Sequence, residues 1–329
     1  MLAICASHSP LMLTDIEATD AARQQGFRDA MAAAQRALDA YRPELVVVFG
    51  PDHFNGLFFD LMPSFCIGTR AEGGADWGLV PGPLDVPEAL ALACIRAAHA
   101  AGFDVAFSHR LKVDHGVTIP LHQLAGGLTR YPILPIVINC AADPRPTFAR
   151  VRAFGRFVGE FLASTGKRVA IIGSGGLSHD PPTPRLGHAP AHVAERLIVR
   201  NTPSAADLAQ REARVMGAAR ALVAGGGPCQ SPSERFDRTF LAELSNGNLE
   251  AFDRFTDDFI DREAGFGGHE VRCWVAAMAA LAATGPVDIA LRYYDIIPEW
   301  ITGMAVVEAR QRGESSFALS TTSTERVPA

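Results

Sequence analysis

Apolar residues along this chain come in two rhythms. Short unbroken runs, Leu2-Ala-Ile-Cys-Ala6, Glu44-Leu-Val-Val-Val-Phe49, Ile133-Leu-Pro-Ile-Val-Ile-Asn139 and Lys167-Arg-Val-Ala-Ile-Ile172, are strand-length and end in turns or breakers. Their length and β-branched content predict buried strands, the proline of the third placing it near that strand's start or on a sheet edge. Between them, apolar residues recur at helical spacing over about Glu17 to Tyr41, Val86 to Ala101 and Thr147 to Leu162, and Phe103 to Phe107 reads as one more strand. From about Ala205 to Ala282 the pattern is mostly helical, broken at Gly225-Gly-Gly-Pro228 and Ala264-Gly-Phe-Gly-Gly268, and Arg292 to Ile297 reads as a closing strand. Alternating strands and helices imply an α/β fold. We expect a central sheet with helices on its faces and the helical C-terminal half packed on the same core. One domain is expected over residues 1–312, with a disordered tail over 313–329, where Ser, Thr and Glu dominate.

Composition narrows the function. Of 329 residues, 48% are hydrophobic and 20% charged, ample for a large core. The net charge of -6, without a basic block, argues against a nucleic-acid surface. Apolar runs stay far below the ~20 residues of a membrane span, and no basic-then-apolar start suggests a secretory signal. Six scattered cysteines never form CxxC, so they are expected to be reduced core residues of a cytoplasmic protein.

The candidate chemistry lies in histidines. His8, His53 and His179 follow predicted strands or turns, and His115 lies in Val113-Asp114-His115-Gly116. Strand ends are where α/β proteins gather ligand-handling side chains. A single histidine so placed is more often a hydrogen-bonded structural residue, but the set is worth more. Two imidazoles and one carboxylate make the facial triad that holds iron(II) with positions left open. Spacing cannot pick that carboxylate from 36 Asp and Glu. Gly173-Ser-Gly-Gly-Leu-Ser-His179 lacks the lysine of a phosphate loop, and Pro181-Pro182 stops any following helix, so it reads as a flexible turn carrying His179. Ser178-His179-Asp180 is no catalytic triad merely by adjacency, and no GxSxG elbow exists.

Taken in order, Ser7-His8-Ser9-Pro10, Pro51-Asp52-His53, Asp114-His115-Gly116, Gly173 to His179, and Glu270 four residues before Trp274 resemble the class III, or LigB-type, extradiol ring-cleaving dioxygenases. The likeness runs from Met1 to about Val307. It is narrowest to the members acting on 2,3-dihydroxyphenylpropionate, through Pro51-Asp-His-Phe-Asn-Gly56, Phe65-Cys-Ile-Gly68, Leu177-Ser-His-Asp-Pro-Pro182 and Arg292-Tyr-Tyr-Asp-Ile-Ile-Pro-Glu-Trp300. The resemblance implies iron(II) held by His8, His53 and Glu270, and an acid–base pair of His115 and His179, with His179 the base and His115 the acid. It also implies a catechol and dioxygen as reactants and a homo-oligomer. Asp114 either orients His115 or caps a turn. His269 is expected to make no metal contact and His122 to be structural. Arg292, Arg185 and Arg272 are candidates for a substrate carboxylate, and Phe54, Phe58 and Phe59 for the pocket wall. Rival readings are a zinc hydrolase using the same ligands, a non-catalytic binding protein, and ring opening of another catechol.

Overall fold

A computed structural model describes residues 1–312, so the expected tail lies outside the described residues. In chain order the strands are β1 (Leu2–Ala6), β2 (Leu45–Gly50), β3 (Phe65–Gly68), β4 (Ala71–Gly73), β5 (Gly82–Pro83), β6 (Ala106–Ser108), β7 (Leu111–Val113), β8 (Ile133–Ile138), β9 (Val169–Ser174), β10 (Val287–Ile297) and β11 (Thr302–Gln311). The helices are α1 (Ala21–Tyr41), α2 (Glu88–Ala100), α3 (His115–Leu124), α4 (Phe148–Ser164), α5 (Ala191–Ile198), α6 (Ala205–Val223), α7 (Glu234–Ser245), α8 (Asp257–Ala264) and α9 (Val271–Ala282).

Eight strands form one sheet in the order β10-β11-β1-β9-β2-β8-β3-β6, and β5-β4-β7 form a small second sheet. At its centre β1, β9, β2 and β8 run parallel, while β11 and β3 join this block antiparallel on either side. Central parallel strands are covered on both faces, which is why these four read as continuous apolar runs. Ala3, Cys5, Val47, Phe49 and Ile171 face α4 and α9. Their neighbours Leu2, Ile4, Val46, Val48 and Ile172 face α1 and α3 on the other side. Every residue of α9 from Val271 to Leu281 is buried, as a helix apolar on all sides must be.

Some boundaries differ from the expectation. The first helix starts at Ala21, because the Asp20 carboxylate accepts a hydrogen bond from the Ala22 N–H and caps it there. Pro135 is the third residue of β8, an interior strand, so its place is near the start and not on an edge. The strand predicted over Phe103 to Phe107 is Ala106–Ser108, at the sheet's outer end. The largest omission is β11, which pairs directly with β1.

The register positions the site. Ala6 lies opposite Ser174 and Phe49 opposite Gly173, so β1, β9 and β2 end in one row. The chain segments carrying His8, His53 and His179 therefore leave the sheet from the same carboxyl edge, the crevice where α/β folds place ligands.

Candidate active site

Each of the four histidines is fixed through its Nδ1. Beyond β1, the Ser7 hydroxyl donates to the Gly303 carbonyl (3.2 Å) and accepts from the Ala305 N–H (2.9 Å), which pins the turn carrying His8. His8 Nδ1 lies 2.9 Å from Ser174 Oγ, and that hydroxyl donates its own hydrogen to the Gly116 carbonyl at 2.6 Å. Ser174 must then accept from His8 Nδ1–H, leaving the Nε2 lone pair toward the cleft. Beyond β2, the Asp52 carboxylate accepts the Gly56 and Leu57 N–H groups (2.8 and 3.0 Å) and folds the turn. His53 gives both its backbone N–H (2.8 Å) and its Nδ1 side (3.2 Å) to Asp114.

Asp114 thus caps α3, accepting from the Gly116 N–H, and orients His53. It does not orient His115. That imidazole turns to Asp76, whose Oδ2 lies 2.5 Å from Nδ1. Asp76 sits in a one-turn 3-10 helix, Asp76–Gly78, distant in sequence, and no motif around it could have announced the pairing. His179 directs Nδ1 to the Leu177 carbonyl at 2.9 Å. Its turn is pinned and not the flexible one expected. Gly176 N–H donates to Glu270 (2.8 Å), Leu177 N–H to Gly303 (3.1 Å) and His179 N–H to Ala264 (2.8 Å).

Glu270 ends the 3-10 turn Phe266–Glu270 just before α9 and faces three of the Nε2 atoms. His53 Nε2 is 3.1 Å from one carboxylate oxygen, His179 Nε2 3.3 Å from the same one, and His8 Nε2 3.6 Å from the other. His115 stacks on His53 with ring centroids 4.3 Å apart. Two glycines allow this crowding: a Cβ on Gly175 would come within 2.7 Å of Glu270 Cβ, and one on Gly267 would overlap the His179 ring.

Electrostatics describe a site short of positive charge. Burial pushes His8 down to about 3. Burial also opposes charge on His53 and His179, but Asp114 and Glu270 outweigh it at His53, and Glu270 at His179, so both are raised. Burial would raise Glu270, yet the imidazoles facing it hold it well below the carboxylate range. Protons on imidazole supply charge here that a dication would supply instead, expelling them. The donor set fits such an ion. Two donors at right angles on a cation with bonds of about 2.1 Å stand about 3 Å apart, and Glu270 stands at 3.1 Å from His53 and 3.6 Å from His8. A second combination, the imidazoles of His8, His53 and His115, has its nitrogens within 4.8 Å of one another. We favour the set containing Glu270, whose negative charge offsets that of the ion.

These groups floor a cavity of about 440 Å³. Phe54, Trp77 and Trp300 line it, with α5 and α6 as the opposite wall. Of the three expected phenylalanines only Phe54 lines it; Phe58 and Phe59 pack beside it in a separate cluster. None of the three expected arginines lines it either. Arg272 is buried against Phe148 and paired with Asp257, Arg292 pairs with Glu308, and Arg185 pairs with Asp180. The cavity's cations are Arg196, Arg211 and Arg214, which sequence reasoning passed over. Their signal was present: Asp207, Arg211 and Arg214 recur at spacings of four and three, one face of a helix. His269 is buried, with its two ring nitrogens bonded to Asp261 and Arg272. His122 is not among the residues lining the cavity. Ser178 bonds Ser233 and Asp180 bonds Phe266 N–H, so neither serves His179 as a triad partner.

Residues 2–305 match the family described as the catalytic LigB subunit of aromatic ring-opening dioxygenase, and the chain belongs to that family. Among its relatives is the 2,3-dihydroxyphenylpropionate/2,3-dihydroxicinnamic acid 1,2-dioxygenase of Cupriavidus pinatubonensis, 46% identical over 93% of this chain and 96% of the relative. The protein of the same name from Azotobacter vinelandii is 45% identical over 94% of this chain and 98% of its own. An uncharacterized Escherichia coli K12 protein of known structure shares the fold, with a TM-score of 0.52 at 13% identity over 94% of this chain and 99% of its own.

Proposed function

We propose that this protein is an iron(II)-dependent extradiol dioxygenase. It opens 3-(2,3-dihydroxyphenyl)propionate, and its cinnamate analogue, beside a ring hydroxyl to a 2-hydroxy-6-oxo-dienedioate, incorporating both atoms of dioxygen. The observation that carries this reading is the convergence of four Nδ1-anchored imidazoles and Glu270 on one end of a single cavity. The relatives' names support the substrate. His8, His53 and Glu270 would hold the metal. When bound, iron(II) supplies the Lewis acidity and redox chemistry that let a catechol react with dioxygen.

The chain's own residues do the rest. His179 takes the proton of a ring hydroxyl as the catechol binds, with its Nδ1–H fixed on Leu177 so that Nε2 is the basic atom. His115 returns a proton during ring opening, its ring locked by Asp76. Imidazole can both take and give a proton in the neutral range, which is the chemistry the two tasks need. Phe54, Trp300 and Ile301 border the reacting end with apolar surface and limit water. The reduced state of all six cysteines is consistent with a cytoplasmic setting.

The test is to purify the protein without air, load iron(II), and add the catechol with dioxygen. A yellow ring-fission product with matching oxygen uptake is expected. Protein that demonstrably holds iron yet opens no simple catechol would end this reading, and activity restored by zinc instead of iron(II) would favour a hydrolase.

A further inference from the structure

The cavity is electrically lopsided. At its sheet end the carboxylates are committed: Glu270 to the imidazoles, Asp76 to His115. On the helical wall Asp207 pairs with Arg196 at 3.3 Å, and Glu212 accepts the Trp77 N–H at 2.7 Å. Arg211 and Arg214 remain. Among the described residues, no carboxylate lies within ion-pair distance of either. Arg214 is exposed, whereas Arg211 is half-buried and leans into the cavity. Burial and the neighbouring Arg214 and Arg196 guanidiniums push Arg211 below its ordinary range, Asp207 offsetting them in part, so this wall carries surplus positive charge.

Among the described residues the Arg211 side chain makes one hydrogen bond. Its Nη1 donates to Asn55 Oδ1 at 3.4 Å, a long bond that costs little to exchange. Asn55 in turn donates to Asp114 at 2.9 Å, and Asp114 holds His53. Two side chains, Asn55 and Asp114, therefore link Arg211 to His53, and Arg211 lines the same cavity as His8, His53 and Glu270. A guanidinium and the proposed metal ligands thus border one cavity, which is the arrangement a catechol carrying an anionic arm requires.

We propose that Arg211 is the specificity residue of this cavity, receiving the carboxylate of the substrate's side chain while the ring hydroxyls face His8, His53 and Glu270. The inference rests on the ring-opening reading for the identity of the ring, but not for the charge of the arm. A planar guanidinium suits a carboxylate held by two parallel bonds, and its partial burial strengthens them. The ligand class is an aromatic ring with an anionic arm; a neutral arm of the same length would leave Arg211 desolvated without a partner.

The experiment compares 3-(2,3-dihydroxyphenyl)propionate with 3-propylcatechol in the iron-loaded wild type, Arg211→Gln, Arg211→Lys and Arg214→Gln. Turnover is followed in air, and binding is followed without oxygen by the fluorescence of Trp77 and Trp300, which line the cavity. In Arg211→Gln the ratio of kcat/KM for the acid over the propyl compound is expected to fall about 10- to 100-fold, mostly through KM, with the anaerobic Kd ratio following it. Arg211→Lys should recover part of the loss. An unchanged ratio in Arg211→Gln, or the same drop in Arg214→Gln instead, overturns the assignment. If the wild type opens neither catechol, the ring-opening reading fails by itself, and the anaerobic Kd ratio still decides the role of Arg211.

Discussion

The two ends of the cavity are built on different principles. At the sheet end, His8, His115, His179 and Glu270 are buried, and each histidine is held by a specific acceptor behind it. Those acceptors are themselves tied to strand ends, helix caps and loop backbone, so the geometry is over-determined. The helical wall has no such backing. The Arg196 side chain is 57% exposed, and Arg211 has one long bond. The contrast follows from what each end must do. Proton transfer and metal binding tolerate little displacement, so their groups are locked before any substrate arrives. Recognition of a flexible arm needs only a charge free to meet it.

The largest effects should come from the sheet end. Glu270→Gln removes the carboxylate on which the imidazoles converge, and it is expected to lose bound iron and to lower turnover by roughly 10³-fold or more. Iron assay after anaerobic loading decides it. Full iron retention would transfer the ligand role to the His8, His53 and His115 set. His115→Ala and His179→Ala should instead keep iron and lose about 10²- to 10⁴-fold in kcat. Loss of iron in either would move that histidine from proton transfer to the metal.

A finer cut separates two carboxylates standing behind two stacked rings. Asp114 backs His53 and Asp76 backs His115, so their substitutions should differ in kind. Asp114→Asn is expected to weaken iron affinity about 10- to 100-fold, the usual effect of removing a group that orients a ligand. Asp76→Asn should hold iron with wild-type affinity and lower kcat about tenfold with KM little moved. Iron titration beside steady-state kinetics distinguishes them. Identical behaviour of the two variants would mean that the stacked pair works as one unit.

Much of the sheet end was legible because its signals are local. Continuous apolar runs marked β1, β2, β8 and β9, and breakers at their ends marked the turns carrying His8, His53 and His179. Glu270 was not legible by spacing and entered only through resemblance. β11 escaped because Thr302-Gly303 opens it and Glu308-Ala-Arg310 closes it. Glu308 is neutralised by Arg310 on its own strand and by Arg292 reaching across from β10, and the second pairing is a tertiary fact. β3 is four residues long and carries too little periodicity to declare itself. Asp76 lies in a single 3-10 turn with no motif around it, and its partner His115 is found only by folding. The three expected arginines were chosen as cations near motifs, yet each is paired elsewhere, whereas the unmatched ones sit on a helix with no motif at all.

The smallest expected effect tests how firmly the sheet end is held. The Asp237 carboxylate on α7 is wholly buried, accepting the Ser178 N–H at 2.7 Å beside His179 and the Tyr294 hydroxyl at 3.1 Å. Burial raises its pKa from 3.8 to about 7 in spite of those bonds. A carboxyl that titrates higher folded than unfolded binds more protons in the folded chain, so raising the pH through that window removes stability. Below the unfolded value the penalty is absent; it grows between about 4 and 7 and is constant above. Asp52, raised to about 7 by burial and by Asp114, adds to the same window, so the difference between proteins is the useful quantity. Asp237→Asn keeps one acceptor and cannot ionise. Its Tm is expected to fall a few degrees less than that of wild type between pH 5 and pH 7.5, measured by calorimetry at fixed iron content. Equal slopes would mean that Asp237 stays ionised in the fold, with the Ser178 turn and Tyr294 solvating it fully.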